Sequence, residues 1–294
     1  MLKQRVLTAV VLLAILLVAL FSGPKWPLAG LLSVFAAAAT WEWLRLSMSK
    51  RYVRAALPIA LLVLAYYLYG AYLQEQAFYL ELGQLSTYWT QPLLLISPAV
   101  LAYWFFGVGF LLLMAYVRRR ANTLVLSIFG VFAVGVCWLA LLHMWYGFGA
   151  WYLLSMLALV WVTDTAAYFV GRQWGNRRLA ARISPGKTWA GFFGGLAGAV
   201  LWVLGTAFFE GSFGAQLVAY WSWLGAVVFT LLLASMSVVG DLFESLLKRR
   251  ARVKDSSQLL PGHGGVLDRI DALIPVAPLA AFIAGPWHDA LFVG

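Results

Sequence analysis

The sequence contains little cysteine, histidine or charge. Its single cysteine, Cys137, excludes an internal disulfide and a thiolate metal cluster. The three histidines, His143, His263 and His288, are far apart and lack metal-ligand spacing, which argues against a zinc site. Charged residues make up only 11% of the 294 residues, against about 25% in soluble domains. The sequence is therefore not that of a soluble protein with a large core.

In place of charge, the sequence has long apolar runs, and hydrophobic residues make up 63% of the chain. The runs are continuous rather than alternating, which favours membrane helices over a transmembrane barrel. Because roughly 20 apolar residues cross a bilayer, the sequence predicts an all-α integral membrane protein, a polytopic bundle of about nine transmembrane helices. The predicted spans are Val6–Phe21, Leu28–Leu44, Ala55–Leu73, Leu93–Val117, Thr123–His143, Ala150–Val170, Trp189–Phe209, Ala215–Gly240 and Ala272–Val293.

The basic residues are sorted to one side of these spans. Every Lys and Arg except Lys25 falls before the first span or after the second, fourth, sixth and eighth spans. Since positively charged loops stay in the cytoplasm, the N-terminus and these loops are predicted to be cytoplasmic, in a multi-pass protein of the cell (inner) membrane. The same sorting accounts for the net charge of +10 without a nucleic-acid partner.

The spans divide into two predicted domains. Residues 1–147 hold about five spans, and residues 148–294 hold about four spans together with a polar segment at 241–271. Residues 74–92 are predicted to be a connecting loop on the side opposite to the basic loops, with a segment in the membrane interface as the alternative. Glycines four residues apart in the seventh span permit close helix approach, which we interpret as packing within the bundle, with a homodimer as the alternative. These glycines are Gly191, Gly194, Gly195 and Gly198.

Acidic residues stand at both ends of the segment 241–271. Asp241 ends the eighth span, and Asp268 and Asp271 stand three apart before the ninth, so one helical turn places both on the same side. Carboxylates without soft ligands nearby suit Mg²⁺, which keeps several waters and adds phosphate oxygens of a substrate. An ordinary charged loop is the alternative for this segment.

The same segment carries groups that bind phosphate. Its glycine-rich turn at residues 261–265, Pro-Gly-His-Gly-Gly, permits close backbone approach, and its N–H groups can cradle an anion. His263 is interpreted as a hydrogen-bond donor to phosphate, with loop stabilisation as the alternative. Carboxylates for metal, cations for phosphate and glycine for access predict metal-assisted phosphoryl transfer at a site facing the cytoplasm. The cations are Lys248, Arg249, Lys254 and Arg269.

Two upstream residues extend this hypothesis. Asp164 lies within the sixth span, and an acid inside an apolar span is by default a functional hypothesis. It is interpreted as a metal ligand or a group that orients Lys187, with a structural ion pair to Arg172 as the alternative. Residues 186–188, Gly-Lys-Thr, lack the upstream glycine of a P-loop because position 181 is Ala181, so Lys187 is kept only as a candidate phosphate ligand.

A long and specific pattern of fixed residues runs through the segment 245–271. Its fixed positions are Ser245, Lys248-Arg249, Lys254-Asp255, the turn Pro261–Gly265 and Asp268-Arg269-Ile270-Asp271. By this pattern the sequence resembles the phosphatidate cytidylyltransferase family, also called CDP-diacylglycerol synthases. Residues Asp164–Tyr168 and Ser184–Trp189 are similar to the family as well, although Ala190 stands where many members have Glu. The motifs cover roughly the C-terminal half of the chain.

The resemblance implies a nucleotidyltransferase of phospholipid biosynthesis, in which CTP and phosphatidate give CDP-diacylglycerol and pyrophosphate. It implies Mg²⁺, with or without a second cation such as K⁺, and metal binding by Asp241 and Asp268, to which we add Asp164. The candidate catalytic residues are Lys248, Arg249, Lys254, Asp255, His263 and Asp271. The candidate substrate-binding residues are Ser184, Lys187, Thr188, Ser245, Gly264, Gly265 and Arg269.

Other functions compete with this hypothesis. A CTP-dependent polyprenol or phytol kinase would act on a lipid alcohol and use Asp255 or His263 as the proton acceptor. A transporter would use Asp164 as its coupling carboxylate, but it predicts acids spread over several spans, whereas the polar residues here concentrate at one face. A non-catalytic lipid-binding protein does not need the complete pattern of fixed residues.

Overall fold

The computed structural model describes residues 2–79, 83–114, 123–285 and 287. These residues are mostly helical, because an apolar segment in lipid must satisfy its backbone hydrogen bonds internally. The helices are α1 (Leu2–Phe21), α2 (Trp26–Ser47), α3 (Ala56–Tyr79), α4 (Gly83–Ala102), α5 (Gly109–Leu113), α6 (Thr123–Trp174), α7 (Trp189–Thr206), α8 (Phe213–Ala251), α9 (Leu267–Ile270) and α10 (Leu273–Ala284). A 3₁₀ turn at Val53–Ala55 precedes α3, and a π-helical turn at Tyr103–Val108 joins α4 to α5.

Six helical segments of the described residues are long and apolar enough to cross a membrane, so the chain is a multi-pass membrane protein. The longest, α6, has 52 residues and leaves helical geometry at Gly149, with φ 85° and ψ −169°. This break lies between the predicted fifth and sixth spans, so α6 consists of two helices that meet at Gly149. A second break interrupts α8 at Ser222 (φ 57°). The count of nine spans stays a prediction.

The helical protein also contains a short hairpin, which the prediction of an all-α bundle did not include. Strands β1 (Arg178–Ala180) and β2 (Ser184–Thr188) pair in antiparallel fashion, Arg178 with Thr188 and Ala180 with Ser184. A guanidinium N–H of Arg178 also donates to the carbonyl of Pro185 at 2.5 Å. The strands have only three and five residues, too few for an alternating pattern to predict them.

The loop predicted at residues 74–92 is wrong for the described part of that range. Helix α3 continues to Tyr79, and α4 begins at Gly83. The first four residues that extend α3, at positions 74–77, are Gln, Glu, Gln and Ala, which favour helix. Polar composition, which suggested a loop, does not interrupt helical hydrogen bonds.

The chain folds into two compact units, which we describe separately. Unit 1 consists of Met1–Ala102, Val117–Leu142 and Leu247–Ile270. Unit 2 consists of Tyr103–Tyr116, His143–Leu246 and Asp271–Gly294. The predicted division after residue 147 stays a prediction.

Buried tryptophans fix α2 against the first half of α6 in unit 1. The indole N–H of Trp43 donates to the Leu126 carbonyl at 2.9 Å, and that of Trp138 donates to Ser33 Oγ at 3.1 Å. Both indole groups thereby satisfy their polar atom while their rings fill the core. Helix α2, held in this way, carries the buried carboxylate of Glu42.

In unit 2, α7 packs against the second half of α6 through its glycines. A Cβ on Gly191 would lie 2.7 Å from the Ala167 carbonyl oxygen, and one on Gly195 would lie 3.0 Å from that of Thr163. The prediction that these glycines mediate packing within the bundle is therefore confirmed for the described residues. The homodimer stays a prediction.

We expect Gly191→Ala to lower the free energy of unfolding by about 1–3 kcal/mol, since the added Cβ forces α7 away from the α6 backbone. Gly205→Ala on the same helix is the matched control, because nothing lies within 4 Å of that position and alanine favours a helix over glycine. Thermal unfolding in detergent, followed by tryptophan fluorescence, measures both variants. Equal unfolding midpoints would contradict the close contact.

Candidate active site

The predicted site residues lie in two clusters, one in each unit. The carboxylate cluster of unit 2 consists of Asp164, Lys187, Asp241 and Asp271. The signature loop of unit 1 comprises residues 252–266, between α8 and α9, and it is held by charged side chains that flank it. We describe each in turn.

Four separate elements bring the carboxylate cluster together. Asp164 lies on α6, Lys187 is in β2, Asp241 is on α8, and Asp271 follows α9. The ammonium of Lys187 contacts Asp241 Oδ2 at 2.7 Å, with 22% and 32% of the two side chains exposed. Gly240 permits this arrangement, because a Cβ at that position would collide with the backbone of Asp271.

The hairpin and the start of α7 fix the position of Lys187. Thr188 is the N-cap of α7, and its hydroxyl accepts a hydrogen bond from the Gly191 N–H at 3.1 Å. Such a cap satisfies one of the first N–H groups of the helix. Ser184, another candidate substrate residue, begins β2. Ser245 lies on α8, with its Oγ 3.5 Å from Asp241 Oδ1.

Negative charge exceeds positive charge in the carboxylate cluster. Burial raises the pKa of Asp271 well above its usual range, and the charges of Asp241 and Asp164 raise it further. The Ala272 N–H, which donates to Asp271 Oδ1 at 2.8 Å, and Lys187 act in the opposite direction. Three carboxylates around one ammonium form an environment that favours a bound cation.

The donor set of this cluster fits Mg²⁺, a hard cation that prefers oxygen ligands. Within the described ranges, no three His, Cys, Asp or Glu side chains form a ready group of metal ligands. Mg²⁺ does not require one, since it usually keeps waters and takes one or two carboxylates together with phosphate oxygens. The alternative ion pair between Asp164 and Arg172 does not occur among these residues, and Arg172 instead donates to the Tyr168 hydroxyl.

In unit 1, Asp268 is the centre of the signature loop. Its Oδ1 accepts from the ammonium of Lys248 at 2.7 Å. Its Oδ2 accepts from the Ser256 N–H at 3.0 Å, the Ser256 hydroxyl at 2.9 Å and the Gly265 N–H at 2.8 Å. Only 6% of this side chain is exposed. Asp268 therefore joins the two ends of the loop to the last turn of α8.

A second buried carboxylate, Glu42 of α2, holds the same loop. Its Oε1 accepts from the Ser257 hydroxyl at 2.5 Å and from the Val266 N–H at 3.0 Å. Its Oε2 accepts from the Leu267 N–H at 2.6 Å and shares the single proton of the Ser256 hydroxyl, 2.9 Å away, with Asp268 Oδ2. The side chain is fully buried, and these four donors offset the cost of burying its charge.

The glycine-rich turn has the backbone geometry that its sequence predicts. Gly262 and Gly264 have φ values of 75° and 85°, the left-handed region that glycine enters without steric cost. Gly265 has no room for a side chain, because a Cβ would collide with Ser256 Oγ and the Glu42 carboxylate. The His263 carbonyl accepts from Arg269 at 2.8 Å. The imidazole Nδ1 of His263 is buried and makes no hydrogen bond within the described part of the chain.

A basic cleft of about 1300 Å³ opens beside the signature loop in unit 1. Lys254 and Asp255, both exposed, line one wall together with Ser256 and Ser257. The basic residues that also line it are Arg45, Lys50, Arg51 and Arg250. Arg249 is exposed in the last turn of α8 and is not among the lining residues. The cleft offers positive charge to an anionic ligand, and the individual roles of these residues stay predictions.

Sequence reasoning missed Glu42, Ser256 and Ser257. A signal for Glu42 was present, since it is an acid within the apolar second span, and this criterion had singled out Asp164. The serines gave no signal, because a polar residue in a charged loop is expected. Their importance comes from contacts with a residue more than 200 positions away in the chain.

We expect Lys187→Met to lower the free energy of unfolding by about 1–3 kcal/mol at pH 8, since it removes the cation that contacts Asp241. Lowering the pH should reduce this loss, because protonation relieves repulsion among the remaining carboxylates. Thermal unfolding of Lys187→Met and of Lys50→Met, an exposed control, between pH 8 and pH 5.5 tests this. If the stability lost in Lys187→Met increased as the pH was lowered, the result would contradict repulsion among the carboxylates of the cluster.

Comparison with known proteins agrees with the resemblance seen in the sequence. The family described as "Cytidylyltransferase family" matches residues 3–285. The phosphatidate cytidylyltransferase of Haemophilus influenzae is 37% identical over 293 residues, covering 96% of this chain and 98% of that protein. The Pseudomonas aeruginosa protein of the same name is 37% identical over 289 residues, 96% of each chain, and the Bacillus subtilis one is 33% identical over 292 residues, 96% of this chain and 97% of that protein. This chain therefore belongs to the cytidylyltransferase family.

Proposed function

We propose that the protein transfers CMP from CTP to phosphatidate and so produces CDP-diacylglycerol and pyrophosphate for phospholipid biosynthesis. The observation that carries this proposal is similarity along nearly the whole chain to proteins named phosphatidate cytidylyltransferase. The carboxylate cluster and the Lys248–Asp268 pair support it, because they combine the charges that metal and phosphate binding require.

In the proposed reaction, a phosphate oxygen of phosphatidate attacks the α-phosphorus of CTP. A bond forms between them, and the bond from the α-phosphorus to the oxygen that bridges to the β-phosphorus breaks, so pyrophosphate leaves with that electron pair. The second pKa of a phosphate monoester is about 6, so the attacking group is largely a dianion at neutral pH. A strong general base is therefore unnecessary, and positioning and charge neutralisation provide most of the catalysis.

The basic residues of the signature loop neutralise phosphate charge in this proposal. Lys248 and Lys254 bind phosphate oxygens, and the glycine-rich turn allows the substrate to approach the backbone. His263 donates a hydrogen bond to phosphate. The basic cleft attracts CTP from solution. In unit 2, Lys187 and Ser184 are the proposed phosphate-binding residues of the hairpin.

We propose Mg²⁺ as the cofactor, held by Asp241 and Asp164, with or without a second cation such as K⁺. When bound, it would neutralise charge on the phosphates of CTP. Asp268 stays a predicted metal ligand. In the structure, its Oδ1 contacts the ammonium of Lys248. We also propose that the site faces the cytoplasm of the cell (inner) membrane, because nearly all the basic residues precede or follow spans on that predicted side.

An assay with two labels tests the proposed reaction. Purified protein in detergent receives phosphatidate, Mg²⁺ and CTP labelled either in the cytidine ring or on the γ-phosphate. We expect the ring label in the lipid product and the γ-label in released pyrophosphate. Transfer of the γ-label to a prenol or phytol would instead identify a kinase, and no transfer by folded protein would contradict enzymatic function.

Asp268→Asn should lower turnover at least about 100-fold, because an amide cannot accept from all four donors and turns an NH₂ group toward one of them. Glu210→Gln, at an exposed position between α7 and α8, is the control and should keep wild-type turnover. Thermal midpoints and size exclusion establish that both variants are folded. Wild-type turnover by folded Asp268→Asn would show that turnover does not depend on the hydrogen bonds and the ion pair of Asp268.

A further inference from the structure

Glu42 has no part in the predicted chemistry, yet its carboxylate makes four hydrogen bonds. It lies on α2, an apolar helix, with none of its surface exposed. All four hydrogen bonds to its carboxylate come from residues 256–267, more than 200 positions away. An acid in such a position is costly unless its charge is used.

The contacts are specific to a carboxylate. Each oxygen accepts one backbone N–H and one serine hydroxyl, and none of the four donors is charged. Hydrogen bonds to an ionised acceptor are roughly twice as strong as those between neutral groups. Glu42 therefore fixes the loop at Ser256 and Ser257 and again at Val266, where the loop meets α9.

Ser256 connects this anchor to the charged pair of unit 1. Its hydroxyl oxygen lies 2.9 Å from Glu42 Oε2 and 2.9 Å from Asp268 Oδ2. Asp268 in turn contacts Lys248 at 2.7 Å. A continuous network thus runs from Glu42 through Ser256 and Asp268 to the ammonium of Lys248.

We propose that Glu42 is a positioning residue for the cytidylyl transfer: through the signature loop it fixes Asp268 and Lys248 in the geometry that the phosphates require. The expected effect on catalysis rests on the proposed function. The anchoring of the loop rests only on the hydrogen bonds of Glu42. Glu42 itself does not touch the substrate. Its effect is preorganisation, since a displacement of about 1 Å in such a site costs on the order of 100-fold in rate.

Glu42→Gln tests the proposal with almost no change of shape. Since each oxygen of Glu42 accepts a backbone N–H, either orientation of the amide turns its NH₂ group toward one of these N–H groups. The loop then loses a contact and shifts. We expect kcat to fall about 100-fold while KM for phosphatidate stays within about threefold, because Glu42 does not itself touch the substrate. Glu210→Gln undergoes the same chemical change at an exposed position and should behave as wild type.

A spectroscopic measurement tests the geometry independently of activity. The only cysteine, Cys137, is buried. Once it is replaced in a Cys137→Ser background, a nitroxide label reacts only with a cysteine that is introduced at a chosen position. Leu259→Cys places the nitroxide on the loop at a position that is 49% exposed, and Leu231→Cys places it on α8 at 36%. We expect Glu42→Gln to increase the mobility of the nitroxide at 259 and to leave that at 231 unchanged.

The two readouts separate the possible failures. Increased mobility at 259 in a protein whose wild type transfers no cytidylyl group would support the anchor and refute the proposed function. Wild-type kcat and unchanged mobility in folded Glu42→Gln would overturn the positioning role. If Glu42→Gln does not fold, Ser257→Ala tests the positioning role instead. This variant removes one hydroxyl donor to Glu42 and keeps both backbone donors. A several-fold fall in kcat supports the proposal, and wild-type kcat and mobility refute it.

Discussion

A carboxylate buried in an apolar helix must find its hydrogen-bond donors within the protein, because lipid and a packed core provide none. Glu42 finds four of them in one distant segment, and the arrangement of the signature loop depends on that requirement. The loop has little regular structure of its own between α8 and α9. Its conformation is set by the hydrogen bonds that its N–H and hydroxyl groups donate to Glu42 and Asp268.

The two clusters solve the problem of buried charge differently. In unit 1, Asp268 is matched by an ammonium and by loop donors, so its charge organises the protein itself. In unit 2, three carboxylates share one lysine, and excess negative charge is left for a cation. In the proposed reaction, fixed cations would bind phosphate and carboxylate oxygens would bind a metal.

Sequence reasoning succeeded where one local property decides the structure. Hydropathy predicted a helical membrane protein, glycine spacing predicted the packing of α7, and the fixed residues of the segment 245–271 predicted the family. It failed at the hairpin and at residues 74–92, where short strands and a polar helix lack a distinguishing pattern. The break of α6 at Gly149 lies between the fifth and sixth predicted spans, where the sequence turns from one apolar run to the next.

The sequence alone determined the membrane class, the family and the residue types of the site, since these depend on composition and on spacing along the chain. Only the tertiary structure decided that Glu42 serves the signature loop, that Lys187 rather than Arg172 joins the carboxylate cluster, and that Lys248 contacts Asp268. The physical reason is that a charged group selects its partner by distance in space, and the spacing of two residues along the chain does not give that distance.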